Sequence, residues 1–235
     1  MILYVNGDSH TAAAEAVNSY AFALDDKNLF YMGRAPHPDN IAVSWGKLLS
    51  QALRAGFHCG AESASSNARI LRTTREWLNA QTINQDTLLI IQWSTWEREE
   101  WWNEQEQIYY QVNGSGVDTV PAQWQQRYKE FVSDIDWKTK TQQAHEDIWE
   151  FHQELESQNI RHIFFNGNND FGPITNRKDW GTSYIGPYDP KQTFNYLIQN
   201  QGIQTVAPNS WHFGRDGHSY FHRFMLQYII KNKLI

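Results

Sequence analysis

Apolar positions along the chain follow two rhythms. Continuous short runs at 2–5, 57–61, 87–93, 161–166 and 203–207 read as strands buried on both faces, because they do not alternate with polar residues. Between them, apolar residues recur every three or four positions, which predicts helices. One is expected over 11–21. A second carries Ile41, Trp45, Leu48, Ala52 and Leu53, with Asp39 or Asn40 as cap and Gly56 as stop. A third carries Ile70, Leu71, Thr74, Trp77 and Leu78. The stretch 121–158 is helical in pattern but long, so a break is expected over 134–139. Short and long helices follow at 192–199 and about 216–232. Strands alternate with helices five times, which predicts an α/β fold: a five-stranded parallel sheet, helices on both faces and right-handed crossovers. One three-layer domain, 1–235, is expected.

Three stretches break the alternation. Residues 25–40 read as loop, with Gly33, Pro36 and Pro38. Residues 103–120 read as an insertion near the functional edge, with a strand over 107–112 and a turn over 113–116. Residues 171–189, rich in Gly and Pro, also read as loop.

In a parallel sheet of this kind every strand-to-helix turn opens on one edge, where ligands bind. Polar residues of catalytic type gather in those turns: Gly7 to His10, Ala64 to Asn67, Ser94 to Arg98, Asn166 to Asp170, and Asn209 to His212. Ser9 follows the first strand after Gly7. Read alone, Asp8 and Ser9 cap the next helix. Beside a histidine and several small or amide residues, Ser9 becomes a nucleophile with a base and oxyanion donors within one edge, the set acyl transfer needs.

Gly7-Asp8-Ser9-His10 resembles the first block of the SGNH or GDSL-type serine hydrolases, with Ser9 as nucleophile. The stretch from Ala64 through Asn67 to Thr74 resembles their second block, where Ala64 stands in place of the usual Gly and keeps its N–H for the oxyanion. Asn209-Ser210-Trp211-His212 is similar to the last block, with His212 as general base. The resemblance runs the length of the chain. It implies a flavodoxin-like SGNH hydrolase fold and a serine esterase acting on acyl or acetyl esters, without cofactor or metal.

Two blocks depart from the family. The third, usually Gly-x-Asn-Asp, is replaced after the third strand by Gln92-Trp93-Ser94-Thr95, so Ser94 or Thr95 is expected to donate the third hydrogen bond. Gly167-Asn168-Asn169-Asp170 matches that block literally but follows the fourth strand, leaving Asn168 as the other candidate or as a turn residue. In the last block the usual Asp is missing; Asn209 or a main-chain carbonyl is expected to orient His212 through its Nδ1–H. Asp216-Gly217-His218 is the alternative last block.

Composition narrows the rest. Net charge is −6 with no basic run, which argues against nucleic acid as partner. No apolar run is long enough to span a membrane. Met1 leads straight into a strand, without the regions of a signal peptide, and the one cysteine, Cys59, suits a reducing compartment; a cytoplasmic protein is expected. No His-x-His or Cys-x-x-Cys spacing points to a metal. His152, His162 and His222 sit in no motif that carries chemistry. The 11 Trp include six near the motifs (Trp93, Trp96, Trp101, Trp102, Trp180, Trp211), whose flat faces suit sugar rings or, equally, a core. The substrate expectation is a small-molecule or carbohydrate ester. The rival is a non-catalytic binding or scaffolding domain that retains the fold.

Overall fold

The computed structural model describes residues 1–23, 31–81, 86–114 and 120–235. Residues 25–30 of the expected loop and Ser115 and Gly116 of the expected turn lie outside the described residues. Among the described residues there are six strands: β1 (Ile2–Asn6), β2 (Gly56–Cys59), β3 (Thr87–Trp93), β4 (Glu99–Asn103), β5 (Ile108–Val112) and β6 (Arg161–Asn166). Four of them form a parallel sheet in the order β2-β1-β3-β6, and β4 and β5 form a separate antiparallel hairpin. This hairpin begins at Glu99, ahead of the stretch read as an insertion.

The sheet has four strands rather than five. Residues 203–207 make only one antiparallel bridge, Thr205 to Phe213. The chain reverses beyond Ala207, so Val206 N–H bonds the His212 carbonyl, 2.9 Å away, and the segment pairs with its own continuation. Mostly exposed, it has no core face to hold it against the sheet.

The helices are α1 (Pro38–Ala42), α2 (Trp45–Ala52), α3 (Asn67–Ala80), α4 (Gln125–Ser133), α5 (Trp137–Ser157), α6 (Phe194–Gln199) and α7 (Arg215–Lys231). The periodic stretch 41–53 splits into α1 and α2 because Ser44 caps the second, its Oγ accepting from Lys47 N–H at 3.2 Å. The long helical pattern breaks between Ser133 and Trp137, where the Asp136 carboxylate caps α5.

Strand side chains divide between two cores by the period of two. Leu3, Val5, Leu88, Ile90, Ile163 and Phe165 face Trp45 and Leu49 of α2 and Phe221 and Met225 of α7. Tyr4, Leu89, Ile91 and Phe164 face Ile70 of α3 and Ile148, Phe151 and Leu155 of α5. Two apolar layers on opposite faces explain why every residue of β3 is buried and why its run is continuous. Among the described residues no helix is long and apolar enough to cross a membrane.

Candidate active site

The first turn is fastened from both sides before any catalytic group is considered. At the end of β1 the Asn6 side chain accepts from Gly7 N–H at 2.8 Å and donates to Thr74 Oγ1 of α3 at 2.9 Å. Gln92, at the end of β3, donates to Asp8 Oδ1 at 2.7 Å and accepts from Thr11 Oγ1 at 2.7 Å. Gly7 is required here by close approach: a Cβ would stand 2.7 Å from Thr11 Oγ1 and 2.8 Å from Gln92 Cβ.

Asp8 is fully buried and receives Ser94 Oγ–H at 2.9 Å, Arg98 Nη1 at 3.1 Å and the His10 N–H at 3.0 Å. Burial pushes its carboxyl up, but the positive partners and hydrogen bonds outweigh this and hold it below the ordinary 3.8. Burial also lowers His10 to about 4, so at neutral pH His10 is uncharged and Arg98 is the cation that holds Asp8 ionised.

Residues 11–21 do not form the expected helix. The alanine-rich sequence favours one, yet Ala13 and Glu15 adopt left-handed backbone, φ 55° and 63°. That conformation costs roughly 1–2 kcal/mol per residue. Tertiary contacts offset it: Ala12 to Ala14 are buried, and Asn40 Oδ1 accepts from Val17 and Asn18 N–H at 3.0 and 2.8 Å. Glu15 is thereby turned toward the loop after α6.

There the Glu15 carboxylate meets His212. Its Oε2 lies 2.8 Å from His212 Nδ1 and 2.8 Å from Ser210 Oγ, which in turn accepts from His212 N–H at 3.0 Å. This corrects the expectation for Asn209, which is exposed; the group on Nδ1 is Glu15. The physical reason is that the last block turns outward at Asn209 and inward at Ser210. Burial raises the Glu15 carboxyl, but the hydrogen bonds from His212 and Ser210 hold it below the ordinary 4.5, so it is ionised at neutral pH. With Nδ1 engaged, Nε2 of His212 is left for chemistry.

Ser9 is 7% exposed, and its hydroxyl has no hydrogen-bond partner among the described residues. His10 bridges the two halves of the site: its ring stands 5.8 Å from that of His212, edge to face. Ala64 occupies the left-handed region, φ 67°, which explains why a glycine suits this place. The second turn is tied to the first by Glu62 N–H on the Gly7 carbonyl, 3.2 Å. The N–H groups of Ser9 and Ala64 donate to nothing among the described residues.

The other expected donors are distributed differently. Ser94 gives its hydroxyl proton to Asp8, and Thr95 gives its own to Glu97 at 3.1 Å. Both hydroxyls are therefore engaged, which corrects the expectation that one of them donates to an oxyanion. Asn67 accepts from Ser94 N–H at 2.8 Å and so joins the second and third turns. Asn168 is exposed; its carbonyl accepts from Asn195, and its side chain also hydrogen-bonds His10. His218, the alternative base, is buried within α7 with Nδ1 accepting from Trp45 N–H at 3.3 Å. Burial lowers it to about 3, and Asp216 sits exposed in the first turn of α7; the pair is no substitute for His212. Metal-ligating side chains converge elsewhere, at the amino end of β6, on residues whose spacing gave no such signal.

The family described as Family of unknown function (DUF6071) matches residues 37–157, just over half the chain. The chain belongs to this family. The matched part holds Ala64 and the Gln92 to Arg98 turn but neither Ser9 nor His212. Among curated proteins none matches. Among solved structures, a carbohydrate esterase, whose active site is described as having divergent catalytic and non-catalytic binding functions, aligns at TM-score 0.50 and 13% identity. It covers 97% of this DUF6071 chain and 64% of its own. An acetyl xylan esterase (Est2A) from Butyrivibrio proteoclasticus aligns at 0.49 and 14%, covering 99% and 64%. A lipolytic protein of the G-D-S-L family from Desulfitobacterium hafniense DCB-2 aligns at 0.44 and 13%, over the whole of both chains. The DUF6071 chain thus has an SGNH hydrolase-like α/β fold.

Proposed function

We propose that the protein is a serine ester hydrolase in which Ser9 is the nucleophile, His212 the general base and Glu15 the carboxylate that orients the base. The observation that carries this reading is the 2.8 Å contact of Glu15 with His212 Nδ1. It supplies the acid missing from the last block and leaves Nε2 unengaged on the edge that carries Ser9. The same constellation works wherever its members come from in sequence, because geometry defines it.

In this mechanism Ser9 Oγ bonds to the ester carbonyl carbon while its proton passes to His212 Nε2. The carbonyl electron pair becomes an oxyanion, received by the N–H groups of Ser9 and Ala64 and by the Asn168 amide. Collapse breaks the bond to the alcohol, which leaves with the proton from His212. Water then attacks the acyl-enzyme by the same route and releases the acid. Glu15 stays ionised and stabilises the imidazolium that forms in each step. In an unliganded site the Ser9–His212 hydrogen bond need not be closed.

The substrate class we propose is an acylated carbohydrate. Trp211, next to His212, is 74% exposed, and an aromatic face held open beside the base fits a sugar ring. A structure of the same fold is a carbohydrate esterase. The rival, a binding module without turnover, is favoured by the unpartnered Ser9 hydroxyl. A fluorophosphonate probe separates the two: labelling of the native chain that is lost in Ser9→Ala and in His212→Ala supports the hydrolase, and an unlabelled native chain overturns it. Short-chain acyl esters and acetylated sugars then define the substrate.

A further inference from the structure

A second set of chemically competent side chains lies at the opposite end of the sheet, where α5 ends and β6 begins. We propose that His152, Glu156 and His162 form a binding site for one divalent transition-metal ion of the zinc class. One ligand atom from each lies within 4.8 Å of the other two.

The local structure explains the convergence. His152 and Glu156 are four apart on α5 and so share one face of the helix. Asn159, at φ 55°, ends the helix sharply, and Ile160 N–H closes on the Leu155 carbonyl at 2.9 Å. That turn sends the chain back along the helix as β6, with His162 facing His152. Both elements are rigid, so the ligands are held before an ion arrives.

The hydrogen bonds assign the protons. His162 Nδ1 is 2.8 Å from the Ile160 carbonyl and must be the donor there, which leaves its Nε2 as a lone pair. His152 Nδ1 lies 2.8 Å from that Nε2 and so carries the bridging proton. A ring N–H held by a main-chain carbonyl is the arrangement that orients metal-bound histidine. An ion would take the place of the bridging proton, with His152 shifting its own to Nε2. Two nitrogens on a tetrahedral ion with bonds of about 2.0–2.1 Å stand about 3.3 Å apart, so the rings need part only about half an ångström.

A buried His–His hydrogen bond alone would explain the pair but not Glu156. Its exposed carboxylate has no hydrogen bond or ion pair among the described residues, and it stands beside the buried pair. Two neutral imidazoles and one carboxylate make a set that zinc accepts, with a fourth position for water. Burial favours the neutral imidazoles, lowering His162 to about 4 and His152 below its ordinary value.

The test uses the untagged full chain, stripped with chelator and titrated with Co(II) and Zn(II). Expected are one ion per chain, a tetrahedral Co(II) absorption band displaced by zinc, and a rise in Tm on zinc addition. Glu156→Ala, at an exposed position that leaves the fold intact, should weaken binding on the order of 100-fold, at least the cost of losing an outer-shell partner. His162→Gln should abolish it. Absence of stoichiometric binding in the native chain, or unchanged affinity in Glu156→Ala, overturns the proposal.

Discussion

His212 Nδ1 and Glu15 Oε2 stand 2.8 Å apart across 197 positions of sequence. Glu15 follows the turn that carries Ser9, so the proposed nucleophile and acid belong to one short stretch and only the proposed base is brought from afar. Glu15→Gln should keep the contact's shape but lose the charge that stabilises the imidazolium. We expect kcat to fall by about 10²- to 10⁴-fold, the upper end being the cost of the corresponding Asp-to-Asn change in a buried triad. KM should hold. Asn209→Asp should alter neither constant. Steady-state kinetics on an acyl ester decide it, and a Glu15→Gln variant with native kcat would remove Glu15 from the mechanism.

Arg98 is the cation that keeps buried Asp8 ionised. Removing it leaves an uncompensated buried charge, a change that costs about 3–5 kcal/mol. Urea unfolding of Arg98→Ala should show a loss of that order, and Asp8→Asn in the same chain should recover part of it. Equal stability of Arg98→Ala and the native chain would mean that Gln92, Ser94 and the His10 N–H suffice.

Gly7→Ala places a Cβ against Thr11 and Gln92, both fixed by hydrogen bonds. The turn must shift, and with it Ser9. Activity should fall by an order of magnitude or more, since small misplacements of a reacting group carry large costs. A fully active Gly7→Ala enzyme would show that the turn tolerates displacement.

Acid should destabilise the fold well above the carboxylate range. Burial lowers His10 and His162 to about 4 and His218 to about 3, against an ordinary 6.5. As pH falls through 6.5 the unfolded chain takes up three protons that the folded chain refuses until near 4 or 3. Stability is therefore complete above about pH 6.5 and is lost progressively below it. Urea midpoints between pH 7.5 and 4.5 should fall with a slope approaching three protons from these groups. His218→Gln, which keeps a side-chain acceptor for Trp45 N–H, should lower the slope by one. A flat profile would contradict the buried neutral state.

Trp211 is exposed, so Trp211→Ala should leave Tm unchanged. If its ring holds the sugar, KM for acetylated carbohydrates should rise severalfold while a simple acyl ester is unaffected. Equal effects on both substrates would remove the stacking role.

The turns that carry Ser9 and Ala64 were legible because each is a short polar motif after an apolar run. Strand β3 was legible because both its faces are buried. Glu15 was not: Thr11 to Ala16 reads as helix by propensity, and the left-handed residues that aim its carboxylate are imposed by Asn40 and His212, which local sequence does not encode. Residues 203–207 read as a fifth strand but form only a bridge at Thr205, because a short apolar run carries no signal of what it pairs with. The convergence of His152, Glu156 and His162 is not legible in the sequence because their spacing crosses a helix–strand junction.

The position of Glu15 also changes what a comparison of relatives must look for. On the proposed mechanism, an acid carried beside Ser9 releases Asn209 from supplying one, so Asn209 is free to drift while Ser210, which bonds both Glu15 and His212, is not. A survey that scores relatives by an Asp just ahead of the last histidine would group intact sites with decayed ones. Scoring the first turn for a carboxylate at the place of Glu15, together with the histidine, would separate the two.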